Sequence, residues 1–329
     1  MNIFKSCKER LFDLNQDDFD ELALEIYRLQ SRENLTYRSY HEYLGIDPLS
    51  IEHFEEIPFL PIEFFKTADL KTGNWESEVE FRSSGTTGQE RSTHFIEDLD
   101  FYRKISLKNF EYFFGDISQY HILALLPSYL ERNDSSLVFM VDHFIRQSGS
   151  EASGFYLDNM LQMLRDIDSL KKSGKKIMLW GVSFSLLDLA EQYSPDLNDC
   201  LVIETGGMKG RREELTKAEL HEHLEKGLHV DKVYSEYGMT ELLSQAYSLG
   251  EGQFSTPPWM RMMIREVNDP FQNLGTGQTG GLNIIDLANV HSCSFIETKD
   301  LGRLHPNGNF EVLGRYDNSD IRGCNLLVN

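Results

Sequence analysis

The sequence lacks any apolar run near the ~18 residues of a membrane-spanning helix. The opening stretch MNIFKSCKERLF has no apolar segment of the kind that a secretory signal carries. Cysteine is sparse: Cys7, Cys200, Cys293 and Cys324 stand far apart with no CxxC pair, so four reduced thiols are the expectation. Positive charge is also scarce. The 329 residues hold 32 Lys+Arg against 53 Asp+Glu, a formal net charge of −21. So acidic a surface repels nucleic acid and anionic membranes. The expectation is a cytoplasmic protein with no nucleic-acid partner and no stable membrane insertion. A small anionic ligand stays open, because local groups can outweigh the global field.

What is present is a core. Apolar residues make up 40% and aromatic residues 12%, a globular composition. Phe19, Leu22, Ala23, Ile26 and Leu29 recur at helical spacing and predict an amphipathic helix over 17–30, with Asn15 or Asp17 as cap. EEIPFLPIEFFKTADL, with two prolines, reads as an extended connector. Further on, YHILALLP, KIMLWGVSF, LVIETGG and KVYSEYG read as strands. They are interleaved with helices predicted over 134–147, 156–172 and 211–226. That alternation is the signature of an α/β domain with a largely parallel sheet. From about Gly277, GGLNIIDL, CSFIETKDLGRL and NFEVLGRYD are short strands joined by Gly, Asn and Asp turns, so a small antiparallel β subdomain is expected over 277–329 after a core over 1–276.

RSSGTTGQERST, from Arg82 to Thr93, places hydroxyls and glycines in one run. Ser83, Ser84, Thr86 and Thr87 supply donors, while Gly85 and Gly88 let backbone N–H groups approach phosphate oxygens. It is no Walker A loop, since the terminal Gly-Lys-Ser/Thr is missing; alone, it is equally a surface turn. In YSEYGMTELL, Tyr237, Gly238, Thr240 and Glu241 follow a strand, where the ring could stack on a flat base and the carboxylate could hold Mg²⁺. A strand-to-helix turn with a capping Thr explains the same residues. Gly206 and Gly207 in IETGGMKG, Asp300 in ETKDLGRL, and Arg315 with Asp317 in GRYDNSDIRG are each, in isolation, ordinary turns. Asp300 there could accept from both hydroxyls of a ribose. His221, His223 and His229 in LHEHLEKGLH do not share a helix face and read as a solvated surface. GVSFS lacks the second glycine of a nucleophile elbow. In WMRMMIRE the methionines read as packing residues, with Arg261 or Arg265 as possible phosphate contacts.

In their order along the chain, Ser83–Gly88, Gly206–Gly207, Tyr237–Glu241, Thr298–Arg303 and Gly314–Gly323 resemble the motif series of the adenylate-forming (AMP-binding) superfamily. Within it, IPFLPIEFFKT, FRSSGTTGQERSTH, LLPSYLERNDSSLVFMV and GRYDNSDIRGCNLLV resemble the acyl-protein synthetases (the LuxE family, long-chain-fatty-acid luciferin-component ligases) over nearly the whole chain. Phenylacetate–CoA ligases are next nearest. The resemblance implies the N-terminal α/β domain of that superfamily and ATP-dependent activation of a fatty or other hydrophobic carboxylate. Ser83, Thr86, Thr87 and Gly88 would cradle the phosphates, Glu241 would hold Mg²⁺, and Tyr237 would stack on adenine against Gly206 and Gly207. Asp300 would bind the ribose, with Arg315 near it.

The family's loop normally ends in a lysine, where this sequence has Gln89, Glu90, Arg91 and Ser92; Arg91 is the nearest cation after the second glycine. The last lysine is Lys299, so the family's C-terminal lid domain and its lysine are expected to be absent. The resemblance implies that Cys324 takes the acyl group as a thioester, its thiolate favoured by Arg322, and hands it to an acyl reductase, acyl carrier protein or acyltransferase. Transfer to CoA or a carrier protein, and a non-catalytic nucleotide- or acyl-AMP-binding module, stand as alternatives.

Overall fold

The computed structural model describes residues 3–15, 18–84, 90–126, 134–157, 159–206 and 215–316. Its helices there are α1 (Ile3–Leu11), α2 (Phe19–Glu33), α3 (Leu35–Leu44), α4 (Phe64–Thr67), α5 (Leu99–Phe114), α6 (Ser136–Gln147), α7 (Met160–Leu170), α8 (Ser183–Tyr193) and α9 (Lys217–Leu228). α2 buries Phe19, Leu22, Ala23, Ile26 and Leu29, the stripe that the spacing predicts. Asn15 Oδ1 accepts from the Asp18 amide at 3.1 Å just before it. α7 starts four residues later than expected: the Tyr156 amide is bonded to Ala124 O, and the Asn159 side chain caps the helix. α9 opens on a capping box of Thr216 and Glu219. The sequence reading missed α1, α3, α5 and α8.

The strands are β1 (Leu60–Pro61), β2 (Val79–Arg82), β3 (Thr93–Ile96), β4 (Tyr120–Leu125), β5 (Gly154–Phe155), β6 (Lys176–Val182), β7 (Cys200–Thr205), β8 (Tyr234–Tyr237), β9 (Ala246–Ser248), β10 (Phe254–Ser255), β11 (Met260–Arg265), β12 (Thr279–Asp286), β13 (Phe295–Leu304) and β14 (Phe310–Arg315). β2 and β3 form a hairpin of their own. The other strands make one twelve-stranded sheet in the order β11-β12-β13-β14-β10-β9-β8-β7-β6-β4-β5, with β1 alongside β13.

This sheet is mixed rather than largely parallel. From β5 to β8 neighbouring strands run parallel, because helices α6 to α9 supply the crossovers that parallel pairing needs. After Tyr237 no described helix intervenes, and β8-β9-β10-β14-β13-β12-β11 are antiparallel throughout. The antiparallel run thus begins at β9, well before Gly277. The connector that holds β1 and α4 is extended only in part; β1 pairs parallel with β13.

Two hydrophobic clusters back the sheet. One gathers Phe110, Ile122, Phe144, Trp180 and Val202 around the parallel half, and the other packs α2 and α3 on the antiparallel half through Phe19, Tyr27, Tyr37, Ile284 and Phe295. The strand direction reverses between β8 and β9.

Candidate active site at the sheet reversal

The base of the Ser/Gly/Thr loop is closed by its own backbone. Beyond the Arg82–Thr93 pair, the Ser83 amide donates to Ser92 O at 3.0 Å and the Ser92 amide to Ser83 Oγ at 2.9 Å. Arg91 Nε donates to Ser83 O, and its Nη2 meets Asp134 Oδ2, both at 2.6 Å. Arg91 is therefore a strut of the loop base here, held at Asp134. Ser84 is exposed. Gly85, Thr86, Thr87, Gly88, Gly207 and Cys324 lie outside the described residues.

Ser92 leads directly to the second motif, because its side chain hydrogen-bonds the Glu241 carboxyl. Glu241 is only 5% exposed, and the Asn289 side-chain amide donates to its carbonyl at 2.9 Å. Burial pushes its carboxyl above the usual range, against the pull of Ser92, its own amide and Arg315; Asp300 adds to the rise. His94, next along β3 but one, donates from Nδ1 to Thr240 O at 2.8 Å. Its ring is buried and held at about pKa 4, so it is a neutral hydrogen-bonding prop at neutral pH.

Tyr237 ends β8. Its hydroxyl donates to Asp300 Oδ2 at 2.7 Å, and Arg315 Nε lies 3.9 Å from Asp300 Oδ1. Its half-buried ring packs edge-on against Phe254 and Phe310. Asp300 lies within β13, in register with Arg315 of β14 and beside a β-bulge, rather than in the turn expected from sequence. Two bonded groups from four separate stretches of chain result, Ser83–Ser92–Glu241 and Tyr237–Asp300–Arg315, and the charges of Arg315 and Asp300 reach the Glu241 carboxyl.

Gly206 and Gly238 open the two exposed turns next to it. Gly206 has φ +72°, a backbone state that suits glycine. Behind it, the single Ser183 hydroxyl proton is shared between Gly206 O at 3.0 Å and Glu204 Oε2 at 2.9 Å. Burial alone would raise the Glu204 carboxyl, but Lys217 at 2.5 Å and His221 outweigh it and hold it at about 2. The sequence reading missed Glu204, Lys217 and Glu236, since a lone charge inside a strand pattern or at a helix start carries no motif.

Three expectations are corrected. His221 is not solvated: α9 turns Leu220, His221, Leu224 and Leu228 inward, and His221 Nε2 meets Ser235 Oγ at 2.9 Å. Arg265 is fully buried, its guanidinium engaged by Glu297 at 3.0 Å, Asn283 at 3.1 Å, Thr298 O at 2.9 Å and the Tyr316 hydroxyl. It therefore clamps the β13–β14 end and does not face a phosphate. Arg261 stacks over the Phe19 ring at 4.4 Å.

Among the described residues no group of three or more His, Cys, Asp or Glu side chains is arranged to hold a metal ion. The lone Glu241 suits an ion of the Mg²⁺ type, which takes one or two carboxylates and fills its shell with phosphate oxygens and water. No described helix is long and apolar enough to cross a membrane.

No protein-family model matches the sequence, and no curated protein does so either. Solved structures do. 2-Hydroxyisobutyryl-CoA ligase in complex with 2-HIB-AMP and CoA, in its thioesterification state, matches with TM-score 0.67 at 14% identity over 94% of this chain and 71% of that one. ATP-bound MatB from Rhodopseudomonas palustris matches with TM-score 0.54 at 16% identity, over 74% of this chain and 49% of that one. The chain shares the fold of these structures. A third such match is o-succinylbenzoate CoA synthetase (MenE) from Bacillus subtilis, with TM-score 0.52, 20% identity, and 72% and 48% of the two chains covered. The chain thus spans about half the length of the MatB and MenE chains. The likeness is one of fold.

Proposed function

We propose that this chain uses ATP to convert a carboxylic acid to an acyl-adenylate. The observation that carries the reading is the pair of bonded groups Ser83–Ser92–Glu241 and Tyr237–Asp300–Arg315, electrostatically coupled to each other in a fold shared with an acid–CoA ligase. A carboxylate oxygen attacks the α-phosphorus of ATP, the bond to the β-phosphate bridging oxygen breaks, and pyrophosphate leaves. The protein contributes by positioning and charge compensation. Ser83, Ser84, Thr86, Thr87 and the Gly85 and Gly88 amides surround the phosphates in this reading, and Arg315 offsets charge beside them. Adenine lies between the Tyr237 ring and the Gly206–Gly207 turn, and Asp300 accepts from the ribose hydroxyls.

Glu241 would hold Mg²⁺ together with the phosphates; the ion supplies charge neutralisation on the polyphosphate. A cation beside Glu241 also favours the carboxylate that burial disfavours.

The finer reading is an acyl-protein synthetase acting on a fatty or other hydrophobic acid. The Cys324 thiolate attacks the acyl carbon, AMP leaves, and a thioester remains. The sequence resemblance supports this step. The likeness to CoA ligases favours CoA as the rival acceptor. Carboxylate-dependent exchange of labelled pyrophosphate into ATP tests adenylation. Labelling with radioactive fatty acid and ATP then tests the acceptor: a hydroxylamine-labile acyl group is expected on the wild type and not on Cys324→Ser. Persistence of that label on the variant, or acyl release only when CoA is added, contradicts the cysteine assignment.

A further inference from the structure

One buried side chain ties together the two glycine turns that flank the adenine position. Glu236 lies on β8, 7% exposed, in register with Thr205 of β7 on one side and Tyr247 of β9 on the other. Its Oε2 accepts a hydrogen bond from Thr205 Oγ1, on the residue immediately before Gly206. Its Oε1 sits directly under Gly238: a Cβ added there would come within 2.3 Å of that oxygen. One carboxyl group therefore touches the roots of both turns, with Tyr237 between it and Gly238.

We propose that Glu236 is a positioning residue for the nucleotide, setting the separation of the Gly206 turn from the Tyr237–Gly238 turn. The proposal rests on the ATP reading above. Glu236 does not touch the ligand; it acts through Thr205 and Gly238. An apolar residue of similar size would leave the Thr205 hydroxyl unpartnered. The charges facing the carboxyl are Glu204 from β7 and Lys217 from α9. The phenols of Tyr102 on α5 and Tyr247 on β9 feel its charge in turn. Burial foremost, helped by Glu204, pushes Glu236 up to about 7, against Thr205 and Lys217. Glutamine has the same shape and can still accept from Thr205. It should therefore replace Glu236, whereas alanine should not.

The test uses the full chain and compares wild type with Glu236→Ala, Glu236→Gln and Thr205→Val. MgATP affinity is measured by titration calorimetry, and the KM values for ATP and for carboxylate by pyrophosphate exchange. Losing the tie should weaken ATP binding about tenfold in Glu236→Ala and about threefold in Thr205→Val, on the scale of one buried hydrogen bond. Glu236→Gln should stay within about twofold of wild type, and the carboxylate KM should change less than the ATP KM in every variant. A folded Glu236→Ala with wild-type ATP affinity overturns the proposal. So does a Glu236→Gln as impaired as the alanine variant, or a parallel rise in both KM values. If Glu236→Ala does not fold, Thr205→Val decides by the same criterion. A wild-type protein that binds no MgATP overturns the ATP reading itself, and the proposal with it.

Discussion

The Tyr237 hydroxyl and Asp300 Oδ2, 2.7 Å apart, join the end of β8 to the middle of β13. The bond fixes an aromatic ring beside a carboxylate that has a second oxygen facing Arg315. Replacing Asp300 by alanine removes both relationships and should weaken ATP binding by about tenfold or more, whereas Tyr237→Phe keeps the ring and should cost about threefold. Calorimetric titration of MgATP checks both; unchanged affinity in Asp300→Ala rejects the ribose assignment.

Glu241 is asked to act as an anion in a buried place. Glu241→Gln should lower the exchange rate about 100-fold while leaving the fold intact, as expected for loss of a preorganised charge. The raised carboxyl belongs to the protein without a bound cation, so taking up MgATP must ionise it, and MgATP affinity should fall as pH falls, beginning above the ordinary carboxylate range. An MgATP affinity that holds steady down to about pH 4, near the ordinary Glu value, contradicts this role.

How far the sequence led is visible in particular residues. β4, β6 and β7 were legible because buried parallel strands are unbroken apolar runs, and α2 because its stripe has helical period. The mixed sheet was not legible. Its hinge strands, β9 and β10, are three and two residues long, too short to show any period. The order of the motifs was legible, and the structure bonds Ser83 to Glu241 through Ser92 and Tyr237 to Asp300 and Arg315. The layer beneath was hidden. Glu204, Glu236 and Arg265 are charges that only a folded partner explains: Lys217 for the first, Thr205 for the second, Glu297 for the third.

Glu236 should also leave a mark on stability. Its folded value of about 7 lies above the 4.5 of an ordinary Glu. Its contribution is therefore complete below the unfolded value and falls as pH rises through about 7. Glu204, held at about 2, works in the opposite sense and only below the ordinary range. Melting curves should show the Tm of Glu236→Gln gaining on wild type from about pH 5 to about pH 7.5, the window given by this linkage. A constant difference in Tm across that window contradicts the buried, raised carboxyl.

Arg265 carries the fold rather than the chemistry. Arg265→Met leaves the partly buried Glu297 without its cation and Asn283 without its donor, and should destabilise the protein by about 2–3 kcal/mol in urea unfolding. The double variant Arg265→Met/Glu297→Gln should recover part of the loss. No recovery contradicts the pairing as the cause.

The most direct measurement is pyrophosphate exchange with the purified full chain, MgATP and a panel of carboxylic acids from short to long alkyl chains. The account predicts that labelled pyrophosphate enters ATP only when a carboxylate is present, with hydrophobic acids most effective, and that Asp300→Ala and Glu241→Gln depress the exchange. Absence of exchange with every acid, in a protein that is folded and binds MgATP, contradicts acyl-adenylate formation and leaves nucleotide binding without turnover.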